Sequence, residues 1–253
     1  MLNVLVVYNK NDKSIELIKS SLRKRNINFK CIERSGLKKT VFKNKNLIIA
    51  VGGDGTFLRT SHFIKDELLF GVNSNPDRKE GFFMSSCKND FDKKFELFLK
   101  NKFYIEKLAR LKSRINKNEA CLALNEVFIG NKIPYKTSHY KLFFNHKTEE
   151  QKSSGVLAGT GSGSNAWLRS AGVKPFCSCS KKFYFIVREP YTGKLTKPLL
   201  TKGFIGNNKV LKIKSEMDNG IVALDSNKEY KFNKGSVIEI TLSKNPLNVI
   251  RFK

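Results

Sequence analysis

The chain has 253 residues and is 40% apolar, enough for one large or two modest domains with real cores and too apolar for a disordered tail. Lysine and arginine total 48 against 22 acidic residues, a formal charge of +26, so the surface attracts phosphates of every kind. The basic residues are dispersed rather than gathered in one arm, and there is no RNP-like aromatic motif, zinc-finger spacing or basic zipper, which argues against a specific nucleic-acid partner. Five cysteines (Cys31, Cys87, Cys121, Cys177, Cys179) are an odd set with one close spacing, Cys177-x-Cys179. That disfavours a disulfide framework or a four-cysteine zinc site. Reduced thiols in a cytosol-like compartment, used for packing or at the surface, are the simpler expectation. No apolar run approaches a membrane span, so no membrane association is expected. Strand-like sequence starts at Leu2, so no leader is read in this chain. A cytoplasmic location is expected, or the mitochondrial matrix if a transit peptide has been removed.

In chain order, residues 4–7 read as a strand, and residues 13–25 carry Ile15, Leu17, Ile18 and Leu22 at helical spacing. Residues 28–32 and 47–51 are strand candidates, 57–65 a helix, and 68–72 a strand. Residues 91–101 form a helix with Phe91, Phe95, Phe98 and Leu99 on one face. This strand–helix rhythm predicts a mostly parallel sheet. After Tyr104 the texture changes. Residues 110–115, 121–129, 140–146, 182–187, 209–214, 220–224 and 236–242 are short strand candidates separated by turn residues. That pattern predicts a mostly antiparallel second domain over residues 104–243. The first domain then spans residues 1–103, with the segment 244–253, which carries a final strand at 247–252, able to return to it.

Four segments carry candidate chemistry. The apolar run at 47–51 stops at Gly52-Gly53-Asp54-Gly55-Thr56, and a helix follows. This sets a carboxylate in a glycine loop at the carboxyl end of a strand, where open α/β sheets bind ligands and a helix offers its positive end to phosphate. The same residues also suit an ordinary strand–turn–helix connection. Asn73 opens a polar loop that reaches Gly81, at the same sheet edge as Asp54. Asn125-Glu126 interrupts an apolar strand, and burying an amide and a carboxyl there is costly without partners. Finally, Gly159, Gly161 and Gly163 alternate with Thr160, Ser162 and Ser164, and the only tryptophan, Trp167, follows. Such a segment lets a ligand approach the backbone, with an aromatic ring available for stacking.

Together these segments resemble the ATP–NAD kinase family, in the family's order and over most of the chain. Gly52 to Thr56 matches its signature loop, Asn125-Glu126 its Asn-Glu strand, and Gly161 to Gly172 its glycine–serine segment. The loop from Asn73 to Gly81, Ser153-Ser154-Gly155, Ala166-Trp167 and Arg188-Glu189-Pro190 look closer to the branch with mitochondrial NAD kinases. The resemblance implies a Rossmann-like amino-terminal α/β domain and a β-rich carboxy-terminal domain. It also implies transfer of the γ-phosphoryl of ATP to the adenosine-ribose 2′-hydroxyl of NAD, with Mg2+ assisting. It makes Asp54 the base. It assigns Gly53, Gly55, Thr56, Arg59, Asn73, Asn125, Glu126, Ser164, Ala166, Trp167 and Ser170 to binding nucleotide and NAD, in a homo-oligomer. Arg59 is equally suited to a solvated helix position. Two positions depart from the common bacterial pattern, Ser154 standing for Asp and Trp167 for Tyr. Asp225 lies near the family's late Asp-Gly turn, but Ser226 replaces the glycine, so it is given no role. A lipid kinase of the diacylglycerol or sphingosine type shares the Gly-Gly-Asp-Gly loop. A non-enzymatic nucleic-acid-binding protein is the other alternative, with net charge its only support.

Overall fold

The structure, a computed structural model, describes residues 2–10, 12–194 and 196–253. The chain divides into two compact units, Met1–Lys107 with Leu247–Lys253, and Leu108–Pro246.

The first unit contains β1 (Asn3–Tyr8), α1 (Ile15–Lys24), β2 (Asn28–Glu33), β3 (Leu47–Gly52), α2 (Asp54–Ser61), β4 (Leu68–Asn73), β5 (Ser86–Cys87), α3 (Phe91–Leu99) and β6 (Tyr104–Leu108). Its sheet runs β2-β1-β3-β4, then the carboxy-terminal strand Leu247–Arg251, then β6. The pairs from β2 to the carboxy-terminal strand are parallel, and the short β5 adds to the end of β4. Every residue of β3 is buried, as a central parallel strand covered on both faces requires. Helix α1 buries Ile15, Ile18 and Leu22, and α3 buries Phe91, Phe95 and Phe98. Leu17 and Leu99 correct the expected stripes: they are 57% and 37% exposed, on the solvent side of α1 and at the last residue of α3. The register pairs Gly52 with Asn73, so the chain leaves β3 and β4 side by side at one sheet edge.

The second unit contains β7 (Leu111–Ile115), β8 (Asn118–Glu119), β9 (Glu126–Asn131), β10 (Ser138–Phe144), β11 (Lys147–Ser153), β12 (Gly155–Gly159), α4 (Trp167–Ser170), β13 (Lys182–Arg188), β14 (Lys202–Gly206), β15 (Leu211–Ser215), β16 (Gly220–Leu224), β17 (Lys228–Lys231) and β18 (Val237–Leu242). They form two six-stranded sheets, β11-β10-β15-β18-β7-β8 and β14-β13-β12-β9-β16-β17, with antiparallel neighbours. One core joins their inner faces, with Leu111, Tyr140, Leu142 and Ile240 from the first and Val127, Val156, Phe185 and Val222 from the second. On the outer face of the second sheet, Leu168 and Val173 cover Leu157. All five residues of β12 are therefore buried.

Two sequence expectations are corrected here. Residues 121–125 are not strand: Ala123 makes an isolated bridge to Leu111, and regular pairing begins at Glu126. Cys177 and Cys179 are joined as a disulfide rather than left as separate thiols. A turn in which Ser180 N–H donates to Cys177 O brings their Cα atoms to 5.3 Å, within bridging range. Cys31, Cys87 and Cys121 take part in no disulfide.

Candidate functional site

In the first unit the candidate residues gather at the sheet edge defined by Gly52 and Asn73. Gly53 is the extended N-cap of α2 (φ −124°, ψ −173°), and its carbonyl accepts the N–H groups of Thr56 and Phe57 at 2.9 and 3.3 Å. A methyl group on Gly52 would lie 2.9 Å from Cβ of Thr56, so glycine is what lets Thr56 pack down onto the strand end. Asp54 begins the helix. Its Oδ2 accepts the Phe82 N–H at 3.1 Å and its Oδ1 the Phe83 N–H at 3.0 Å. One N–H on each oxygen fixes the carboxylate plane and leaves each oxygen further lone-pair capacity. Buried Phe83, stacked on Phe57 with ring centroids 5.0 Å apart, anchors the segment that supplies those donors.

Asn73 is spent on its own loop. Its Nδ2 donates to Lys79 O at 2.8 Å and its Oδ1 accepts Asn75 N–H at 3.0 Å, which shapes the chain between β4 and Phe82. Arg59 stands in the last turn of α2. It is about 7 Å along the axis from Asp54, where a cation also complements the helix dipole. Gly55 is exposed and Thr56 is 2% exposed.

In the second unit Asn125 and Glu126 are buried, 7% and 3% exposed. What holds them is Asp225, the residue that sequence reasoning passed over. Its Oδ1 accepts the N–H groups of Asn125 and Glu126 at 2.7 and 3.1 Å, and its Oδ2 accepts Leu124 N–H at 2.8 Å. Asp225 and Ser226 both take positive φ, 49° and 51°, in the turn after β16. The aspartate after an apolar strand was the available signal, since Asp tolerates this conformation better than most residues. Burial, and then the Asp225 charge, push the Glu126 carboxyl up to about 8. Glu126 is therefore a protonated acid at neutral pH.

The glycine–hydroxyl loop is laced to the same segment. Thr160 N–H donates to Asn125 O at 2.9 Å and Thr160 Oγ1 to Leu124 O at 2.5 Å. Gly163 packs on the Asn125 backbone, where a methyl group would lie 2.7 Å from the carbonyl carbon. Asn125 Oδ1, Glu126 Oε2 and Ser162 Oγ are buried and have no hydrogen-bond partner among the described residues. Unpartnered buried polar atoms are costly, and three on two interlaced segments point to a polar ligand. Ser164 spends its hydroxyl inside the loop, donating to Gly161 O at 2.6 Å and accepting Phe176 N–H at 2.9 Å. Ala166 precedes α4, and Ser170 is exposed at its end. Trp167 stacks on Phe128 at 5.1 Å, with the Arg188 guanidinium 5.3 Å from its ring centre.

An oriented carboxylate beside a glycine-capped helix start, and a β-sandwich carrying a glycine–hydroxyl loop against unpartnered buried polar groups, suit the class of proteins that bind a phosphate-bearing polar ligand. No family model matches the chain. It is 26% identical to a probable NADH kinase of Oryza sativa subsp. japonica, over 94% of this chain and 80% of that protein. It is 27% identical to an NAD kinase of Fusobacterium nucleatum, over 99% and 92%. Its fold matches the crystal structure of an Archaeoglobus fulgidus NAD kinase in complex with ATP, with a TM-score of 0.81 at 22% identity over 100% of this chain and 94% of that one. The chain belongs to the NAD kinase family. Among the described residues no helix is long and apolar enough to cross a membrane.

Proposed function

We propose that the protein transfers the γ-phosphoryl group of ATP to the 2′-hydroxyl of the adenosine ribose of NAD, giving NADP and ADP. The observation that carries this reading is the Asp54 carboxylate, aimed by the Phe82 and Phe83 N–H groups at the carboxyl edge of a parallel sheet. As the ribose oxygen bonds to the γ-phosphorus, the bond from that phosphorus to the bridging oxygen of ADP breaks. The hydroxyl proton passes to Asp54. A sugar hydroxyl is a far weaker acid than a carboxyl group, so the proton moves late, when the oxygen is already bonding to phosphorus. Gly53, Gly55 and Thr56 bring the backbone close to phosphate oxygens, with Arg59 and Asn73 at the margins. Magnesium, when bound, neutralises phosphate charge and keeps most of its water shell. The spare lone pairs of Asp54 suit that shell.

In the second unit the unpartnered Asn125 Oδ1, Glu126 Oε2 and Ser162 Oγ supply polar partners for the dinucleotide's ribose and base. Protonated Glu126 donates a hydrogen bond where an ionised one only accepts. Ser164, Ala166, Trp167 and Ser170 line the dinucleotide groove, in a homo-oligomer whose neighbouring subunit shares it. The names of the relatives, one an NADH kinase and one an NAD kinase, support trying both redox forms as acceptor. The test is NADP or NADPH formation from magnesium-ATP with NAD or NADH, run beside diacylglycerol and sphingosine. Phosphorylation of lipid without a phosphorylated dinucleotide would overturn the reading.

A further inference from the structure

Two cations converge on the Gly53–Asp54–Gly55 turn from different strands. Lys79 comes from the loop after β4. A methyl group on Gly53 would lie 3.1 Å from its Cδ, so its aliphatic stem packs on that glycine. Its ammonium donates to Ser74 Oγ at 2.6 Å and pairs with Asp12 Oδ2 at 3.3 Å. Ser74 in turn bonds the carbonyl of Gly52 through its N–H at 3.0 Å and its hydroxyl at 3.3 Å. Burial pushes the Asp12 carboxyl up, but the Ser74 and Ser14 hydroxyls and the Lys79 charge hold it below its ordinary range. Asp12 is an anion that parks the lysine beside the turn.

Arg34 arrives from the opposite side, just after β2. A methyl group on Gly55 would lie 3.9 Å from Arg34 Nη1. The residue is half-buried, yet among the described residues no acidic side chain pairs with it. On a chain with 48 basic residues, nearness alone would single out neither cation. What does is their placement: each faces a glycine of the one turn that holds the oriented carboxylate. A half-buried guanidinium without an anion is a forked donor waiting for one, and carboxylate or phosphate geometry suits it.

We propose that Arg34 and Lys79 form a cationic bracket for the terminal phosphates of the triphosphate donor. The inference rests on the kinase reading above. Arg34 supplies a bidentate contact to one phosphate. Lys79 exchanges Asp12 and Ser74 for another, so donor binding releases the lysine from its parked position. The dinucleotide's affinity does not depend on the pair.

The test compares wild type, Arg34→Met, Lys79→Met and the double variant. Methionine keeps an aliphatic stem on the glycine while removing the charge. Arg34→Lys and Lys79→Arg serve as conservative controls. Steady-state KM is measured separately for magnesium-ATP and NAD, and a non-hydrolysable ATP analogue is titrated calorimetrically. Each single Met variant is expected to raise the KM for ATP about tenfold and weaken the analogue likewise, with the KM for NAD within about twofold. The double variant loses more. The conservative variants, which keep a cation, recover part of the loss. If wild type forms NADP while the Met variants match it in KM for ATP and in analogue affinity, the bracket is overturned and the kinase reading stands. If the KM for NAD rises instead, the cations serve the dinucleotide and the bracket is again wrong. If wild type forms no NADP, the kinase reading itself fails.

Discussion

The Glu126 carboxyl group sits beside the Asp225 carboxylate, which accepts the Glu126 backbone N–H at 3.1 Å. One aspartate thus holds the segment in place and keeps its neighbour uncharged. Because the folded protein holds Glu126 at about 8 against an ordinary value of 4.5, it binds more protons than the unfolded chain between those values. Stability from this group is fully present below about 4.5 and is lost as pH rises through 8. Glu126→Gln, a neutral isostere of the protonated acid, removes that slope. Urea unfolding of both proteins at pH 5, 6, 7 and 8 measures it. The variant gains on wild type by about 1 kcal/mol per pH unit between the two values, and the gain levels off above 8. Parallel curves would show that Glu126 is ionised in the folded state.

Asp225→Asn keeps an acceptor for two of the three N–H groups and turns an amide N–H₂ toward the third. Replacing a charged acceptor of three buried donors lowers stability by roughly 2 kcal/mol. It also removes the charge that helps keep Glu126 protonated. Unfolding midpoints and the KM for NAD report the two effects. A variant with native stability and unchanged KM for NAD would rule out the clamp.

Gly163→Ala drives a methyl group into the Asn125 carbonyl, which is backbone and cannot swing aside. The loop must shift away from the Asn125–Glu126 segment. The KM for NAD rises about tenfold or more while affinity for an ATP analogue, measured by titration, stays near wild type. Equal losses for both nucleotides would mean that this loop does not serve the dinucleotide alone.

The amino-terminal sheet was legible because β3 is an unbroken apolar run ending in glycines, and because apolar residues recur at helical spacing in α1 and α3. The antiparallel character of the second unit was legible from its turns, but several of its strands were not. Lys147–Ser153 has no apolar residue, as an edge strand with one face in water allows, and Gly155–Gly159 was hidden inside a glycine-rich stretch. Asn125 and Glu126 were visible as an oddity within an apolar run, yet what holds them was not. Asp225 lies about a hundred residues away, and no local pattern reports so distant an acceptor. The Cys177–Cys179 bridge was missed because an odd cysteine count speaks about frameworks and not about one tight turn. The orientation of Asp54 depends on two backbone donors 28 and 29 residues downstream, which only the folded loop brings to it.

The central claim is that Asp54 takes the proton of the ribose hydroxyl, and Asp54→Asn tests it most directly. Asparagine keeps the volume and one acceptor, so folding and the KM values for ATP and NAD stay within a few-fold of wild type. Steady-state NADP formation with saturating magnesium-ATP and NAD should show kcat falling by about 10²–10⁴-fold. A variant that folds, binds both substrates and turns over at nearly the native kcat would contradict the account.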